Sequence, residues 1–370
     1  MSRRETYLDW NATAPLRPEA AAAIGEALAS CGNPSSVHRR GREARRRVER
    51  ARAAVGALVG AAADGVTFTS GGTEANHLAI LGSGRARVLV SAVEHSSALQ
   101  AVPEAERLPV DGNGIVDLAA LAALLDADTR PALVSVMLAN NETGTIQPVS
   151  EIAAIAHKRG ALFHCDAVQA AGKIPVSLAE IGADFLTLSA HKIGGPAGIG
   201  ALVSAGLEPT PLQRGGGQER NRRAGTENLT GIAGFAAAAD AADITEYDRV
   251  RLLRDRLEAA LPDAVVIGAA TARLPNTSAL AMPGVPAETQ VIAFDLDGVM
   301  VSAGAACSSG KVGPSHVLAA MGVAPEIAGA TIRVSLGWST TAADIGHFID
   351  AWTALCRRAR HRAAGSKVAA

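Results

Sequence analysis

Three short stretches put chemically capable side chains where an apolar run stops. In TFTSGGTEAN, residues 67–76, a strand-like run gives way to a glycine pair and a helix start at Thr73. Backbone N–H groups at a helix N-terminus, with only small residues before them, suit a phosphate, although glycine pairs also serve ordinary strand–helix turns. In FHCDAVQA, Asp166 lies immediately beyond an apolar run. A carboxylate there is costly unless paired, and a protonated pyridine nitrogen would be such a partner; the commoner role for Asp is to cap a short helix, here Ala167–Ala171. In LTLSAHKIGGP, Lys192 ends a third apolar run, with Ser189 and His191 in the same tight turn and Gly194 and Gly195 behind. A lysine against apolar surface gives up its charge readily and becomes an amine able to form a Schiff base, while most lysines merely extend their heads to water.

A phosphate cradle, an anion for a pyridinium and an amine for an aldehyde are together what pyridoxal 5'-phosphate (PLP) requires of a protein. The elements that must carry them follow from the pattern. Apolar runs at 66–69, 87–92, 132–138, 161–165 and 184–189 read as strands, and helices fit at 73–81, 118–126 and 149–159. Strands apolar on both faces and separated by helices imply a mainly parallel α/β sheet covered on both sides, which binds ligands at its carboxyl edge. Before them come a short strand at 6–10, a helix opened by Pro18 and running to Ser30, and a long charged helix at 38–59. A Gly- and Arg-rich loop, Arg214–Asn228, leads to a helical stretch ending at Ala260, and shorter elements follow. The expected division is a large PLP-binding domain at 14–255 and a smaller α+β domain made of 1–13 with 256–370, which the N-terminal strand joins.

Composition narrows the class. The 370 residues are 48% hydrophobic but only 3% aromatic, so small and branched aliphatic residues must fill the core. No apolar run approaches the roughly 20 residues that span a bilayer, and MSRRETYLDW lacks an apolar signal core, so a soluble cytoplasmic protein without membrane association is expected. A net charge of −1 gives no general pull toward nucleic acid. Cys31, Cys165, Cys307 and Cys356 are scattered without a CxxC pair, which excludes a zinc ribbon, and no metal is expected. Cys165 and Cys356 read as core thiols and Cys31 as structural. Cys307 stands apart in VSAGAACSSGKVGPSH, whose small residues suit a nucleophile that must travel.

In order along the chain, LDWNATAPLRPE, CGNPSSVHRRGREA, FTSGGTEANHLAI, AVEHSSAL, LANNETGTIQP, FHCDAVQAAGK, LSAHKIGGPAGIGAL, RGGGQERNRRAGTEN, GAACSSG, PSHVLAAMG and TIRVSLGWSTT resemble the NifS/IscS group of cysteine desulfurases, within the class V aminotransferases of PLP fold type I. The resemblance runs from about Tyr7 to Trp352. It implies a seven-stranded sheet and a homodimer that converts L-cysteine to L-alanine and passes sulfur to an acceptor protein, such as an iron–sulfur scaffold or sulfur carrier. It further implies that Lys192 carries the cofactor, Asp166 pairs with the ring nitrogen, Gln169 bonds the ring oxygen and His95 stacks on the ring and handles a proton at the substrate thiol. Gly72, Thr73, Ser189 and His191 would hold the phosphate, with Thr226 reaching in from the partner subunit. Asn141 would lie beside the ring, Asn33 and Arg333 would clamp the substrate carboxylate, and Cys307 would take the sulfur as a persulfide.

Trp10, Cys165 and Ala197 depart from the family's commoner residues without removing any of these groups. The rival readings are a selenocysteine lyase or another PLP cysteine lyase, and a non-catalytic scaffold. FDLDGV (294–299) looks like a phosphotransferase nucleophile motif but comes late in the chain, where a strand ending in a turn is expected. HRRGREARRRVERARA, with Glu43 and Glu49 interleaved, reads as a solvated helix, and RRARHRAAGSKVAA as a frayed basic tail.

Overall fold

The computed structural model describes residues 4–304 and 315–368; Cys307 lies outside them. In chain order the strands are β1 Thr6–Tyr7, β2 Val66–Thr69, β3 Arg87–Ser91, β4 Glu106–Leu108, β5 Ala132–Met137, β6 Leu162–Asp166, β7 Phe185–Ser189, β8 Gly200–Ser204, β9 Val265–Ile267, β10 Thr277–Ala281, β11 Val299–Met300 and β12 Thr331–Ser335. The longer helices are α1 Pro18–Leu28, α2 Arg39–Leu58, α3 Gly72–Gly82, α4 Leu118–Ala127, α5 Val149–Lys158, α6 Leu229–Asp240, α7 Glu246–Ala259, α8 Ala287–Leu296 and α9 Ala342–Val368.

Seven strands form one sheet in the order β2-β8-β7-β6-β5-β3-β4. Only β8 runs against its neighbours, pairing antiparallel with both β2 and β7. The carboxyl ends of β2, β3, β5, β6 and β7 therefore share one edge. Every residue of β2, β3, β5 and β7 is buried, the expected signature of strands covered on both faces. β8 was not foreseen because its Gly- and Ala-rich sequence, GALVS, lacks a run of large apolar residues. Gly200 is needed there: a Cβ at that position would stand 2.6 Å from the Gly71 carbonyl carbon.

A second core gathers Leu8, Tyr247, Val250, Leu257, Phe294, Phe348 and Trp352 around the antiparallel sheet β12-β10-β9 and the parallel pair β1–β11. The inner face of α7 thus packs against this core, on the side of the chain's last third. FDLDGV is not a strand: Phe294 lies in α8 with its ring stacked on Trp352 at 6.1 Å, Asp295 is exposed, and Asp297–Gly298 turns into β11.

α2 is solvated on one face only. Ala44, Val48, Ala51 and Val55 recur at helical spacing on its buried side, and with them Arg52, 1% exposed. The Arg52 guanidinium forms two bonds to Glu219, at 2.5 and 2.7 Å, and a third to the Val66 carbonyl, while Glu219 also accepts from the Phe68 N–H at 2.8 Å. This pair secures the Arg214–Asn228 loop, where Glu219, Arg220 and Asn221 in succession hold left-handed backbone conformations. Such conformations cost non-glycine residues about 1 kcal/mol or more each, so they persist only where surrounding contacts fix them.

Candidate active site

The shared carboxyl edge opens into a cavity of about 310 Å³, lined among others by Asp9, Asn11, Gly72, Thr73, Asn76, His95, Asn141, Asp166, Gln169, Ser189, His191, Lys192 and Arg333. Each strand end delivers its own group. β2 leads through Ser70 and Gly71 into α3, whose first residues Gly72 and Thr73 present helix N-terminal N–H groups. Glu74 in that first turn does not block them: its oxygens are taken by the Ser70 N–H at 2.7 Å and Arg223 at 2.8 Å. A Cβ on Gly72 would press within 3.2 Å of Val168 and 3.5 Å of Ser189, so glycine lets the cradle close against the β6 and β7 ends.

β6 ends on Asp166, which is 6% exposed. Asn76 Nδ2 donates to its Oδ2 at 2.8 Å and the Val168 N–H to its Oδ1 at 2.9 Å. The second bond has the geometry of a local cap, but 168–173 are turns rather than a helix. Asn76 was not foreseen; nothing in TSGGTEAN distinguishes it from a surface residue of the helix, and its role appears only when α3 lies over β6.

β7 runs into a single turn of 3-10 helix, Ala190–Lys192. Lys192 Nζ donates to the carbonyls of Asn11 and Ala12, at 2.6 and 2.8 Å. His191 is kept neutral, its pKa pushed down to about 4 by burial and then by Lys192 and Lys173. Lys173 is itself buried and carries a pKa well below the usual lysine range, through burial and then the charges of Lys192 and Arg333. It donates to Gln169 Oε1 at 2.9 Å and Asn11 Oδ1 at 3.2 Å, so Gln169 turns its amide nitrogen to the Asn11 carbonyl.

His95 follows β3. Burial pulls its pKa below the ordinary value; Asp166 opposes that shift, and Lys192 and His316 add to it. The Ser97 N–H donates to its Nδ1 at 3.1 Å, so in the neutral ring the proton sits on Nε2. The preceding Glu94 is fully buried beneath the same edge, with one oxygen lacking a hydrogen-bond partner among the described residues. Burial, aided by the Asp166 charge, pushes its pKa up to about 8. Arg333, on β12, reaches in from the second core and also borders an adjoining, mostly apolar cavity of about 420 Å³ beside Glu142, Gly304 and Ser315.

Two expected residues are not in the cavity of this single chain. Asn33 is exposed in its loop, with Oδ1 accepting from the Ser35 N–H at 2.9 Å. Thr226 is likewise exposed. Of the thiols, Cys165 is fully buried and held well above its usual pKa, first by burial; Cys356 is raised in the same way, and Cys31 is exposed.

The donor set fits PLP. The buried Asp166 carboxylate, oriented by two N–H donors, answers a ring nitrogen; Lys192 answers an aldehyde. The α3 N-terminus with Thr73 and Ser189 answers a phosphate. Among the described residues no cluster of His, Cys, Asp or Glu is arranged to hold a metal.

Comparison with known proteins agrees. The family model for class-V aminotransferases matches residues 6–348. A cysteine desulfurase of Cereibacter sphaeroides is 47% identical over 364 residues, covering 93% of this chain and 94% of that one. The cysteine desulfurase IscS of Dictyoglomus turgidum is 42% identical, covering 94% and 93%. The crystal structure of a NifS-like protein from Rickettsia africae superposes with a TM-score of 0.87 at 38% identity, covering 94% of this chain and 98% of that one. The chain belongs to the class-V aminotransferase family, within its cysteine desulfurase group, whose members depend on PLP.

Proposed function

We propose that this protein is a PLP-dependent cysteine desulfurase that releases L-alanine from L-cysteine and holds the sulfur on Cys307 before delivering it to an acceptor protein. The observation that carries this reading is the meeting of a buried carboxylate, a lysine amine and a helix N-terminus at one sheet edge, beside a neutral histidine. When bound, PLP supplies an electron sink for the electrons of the substrate's Cα–H bond.

The chain's residues do the rest. Gly72, Thr73, Ser189 and His191 hold the phosphate, and Gln169, oriented by Lys173, meets the ring oxygen. Asp166, fixed by Asn76, gives the ring nitrogen its counter-anion. Lys192 would hold the cofactor through its amine, and the same Nζ is the base for the substrate's Cα proton. Arg333 anchors the substrate carboxylate with its planar fork, and Asn141 packs beside the ring. His95, neutral with its proton on Nε2, would help hold the cofactor and exchange a proton with the substrate thiol. Cys307 thiolate attacks the substrate sulfur; the new S–S bond forms as the Cβ–S bond breaks, its electrons pass to carbon, and protonation there completes alanine.

The active unit is a homodimer in which Thr226, exposed in the single chain, completes the phosphate site of the partner. The smaller domain, with α7 against its core, carries Cys307 in its sequence. No described helix is long and apolar enough to cross a membrane, and we place the protein in the cytoplasm, where an iron–sulfur scaffold or sulfur carrier takes the sulfur.

The test compares alanine release from cysteine and from selenocysteine in wild type and Cys307→Ser. A hydroxyl is a far weaker nucleophile toward sulfur than a thiolate. Loss with cysteine and retention with selenocysteine is expected. Unchanged alanine release from cysteine overturns the role of Cys307 and moves the reading toward a lyase.

A further inference from the structure

Arg333 does not face the cavity bare. Its Nη2 donates to Asp9 Oδ1 at 2.7 Å and its Nη1 to the Asn141 carbonyl at 3.2 Å, while Nε, although buried, lacks a hydrogen-bond partner among the described residues. The arginine side chain is 5% exposed and the aspartate 22%, and both line the cavity that holds Lys192. The backbone of Asp9 is tethered in this position. Its backbone bridges Ser335 on β12, and Tyr7 donates its hydroxyl to the carbonyls of Asp9 and Thr13, at 3.1 and 2.8 Å. The same strap supplies the Asn11 and Ala12 carbonyls to Lys192. One carboxylate of this chain is thus built into the place where an amino-acid carboxylate is wanted.

We propose that Asp9 is a resident carboxylate on Arg333 and that substrate binding exchanges one carboxylate for another. The proposal rests on the reading that Arg333 anchors the substrate carboxylate. A buried guanidinium without a partner is expensive, and Asp9 removes that cost in the free protein. The same contact competes with the ligand, so Asp9 weakens amino-acid affinity. Because the exchange swaps like for like, the field at Lys192 and Lys173 changes little when substrate arrives. A ligand with an amine but no carboxylate gains nothing from the exchange, so Asp9 and Arg333 together set the demand for an α-carboxylate.

The test uses holoenzyme and two probes in calorimetric titrations: L-alanine, which carries amine and carboxylate, and ethylamine, which carries only the amine. Asp9→Asn, near in shape, should bind L-alanine roughly five- to tenfold tighter, the scale on which loss of a competing charged contact moves affinity. Ethylamine binding should stay within about twofold, and the KM for cysteine should fall while kcat does not rise. Asp9→Ser is the second variant should Asp9→Asn fail to fold. Unchanged or weaker L-alanine binding by a folded variant overturns the exchange, as does equal weakening of both probes, which marks a merely structural role. Arg333→Gln separates the two claims. Loss of L-alanine affinity there with ethylamine unaffected upholds the anchor even if Asp9→Asn changes nothing, whereas unchanged L-alanine binding by Arg333→Gln defeats the anchor itself.

Discussion

Replacing Glu94 with glutamine should change how the protein's stability responds to pH. Glu94 is fully buried; its Oε1 accepts from the Met137 N–H and the Ser91 hydroxyl, each at 2.8 Å, and its Oε2 has no hydrogen-bond partner among the described residues. Burial, with the Asp166 charge adding to it, raises the pKa from 4.5 to about 8. The folded state therefore holds this proton more tightly than the unfolded chain. The associated stability is fully present below pH 4.5 and is lost as pH rises through about 8. At about 1.36 kcal/mol for each tenfold in proton affinity, the loss between pH 5.5 and 8.5 is roughly 3 kcal/mol. Glutamine does not titrate and keeps the acceptor for Met137 and Ser91, so Glu94→Gln should lack this loss, and other titrations cancel in the comparison. The assay is the thermal midpoint of both proteins at the two pH values. The wild-type midpoint should fall relative to the variant's by on the order of 5 °C between them. Parallel pH dependence of the two midpoints would refute the reasoning and mean that Glu94 is ionised in the fold.

Lys192→Ala should abolish both turnover and the visible absorbance band of the bound cofactor; a normal spectrum with normal desulfuration contradicts the assignment. Asp166→Asn should still bind PLP but slow turnover by about 10²-fold or more, read in single-turnover absorbance, because a neutral partner no longer favours a protonated ring nitrogen. Glu219→Gln, which breaks the buried pair with Arg52, should cost about 3–5 kcal/mol in urea unfolding, and a loss under about 1 kcal/mol would show that the pair does not hold the 214–228 loop.

Much of the fold was readable because its strands are unusually plain. The apolar runs at 66–69, 87–91, 132–137 and 185–189 sit between amphipathic or alanine-rich helices, and burial on both faces leaves few polar residues to obscure them. Gly72–Thr73, Asp166 and Lys192 were readable for the same reason, since each follows directly on such a run. What escaped the sequence depends on distant partners. Asn76 meets Asp166 across 90 residues, Arg52 meets Glu219 across 167 and Asp9 meets Arg333 across 324. No local pattern marks either member of these pairs, and in Arg52 the local pattern misleads, because the seven other arginines of α2 are exposed or only partly buried. The reversed β8 was hidden by small residues chosen for close approach to Gly71 rather than for bulk.

The central claim is that sulfur leaves cysteine and resides on this chain at Cys307. Mass spectrometry of the intact holoenzyme after brief incubation with L-cysteine, followed by peptide mapping, tests it most directly. The expected result is a gain of one sulfur atom per chain, lost on reduction, located at Cys307 and absent from Cys31, Cys165 and Cys356. Alanine released with no sulfur added to any cysteine, or sulfur found on one of the other three, would contradict it.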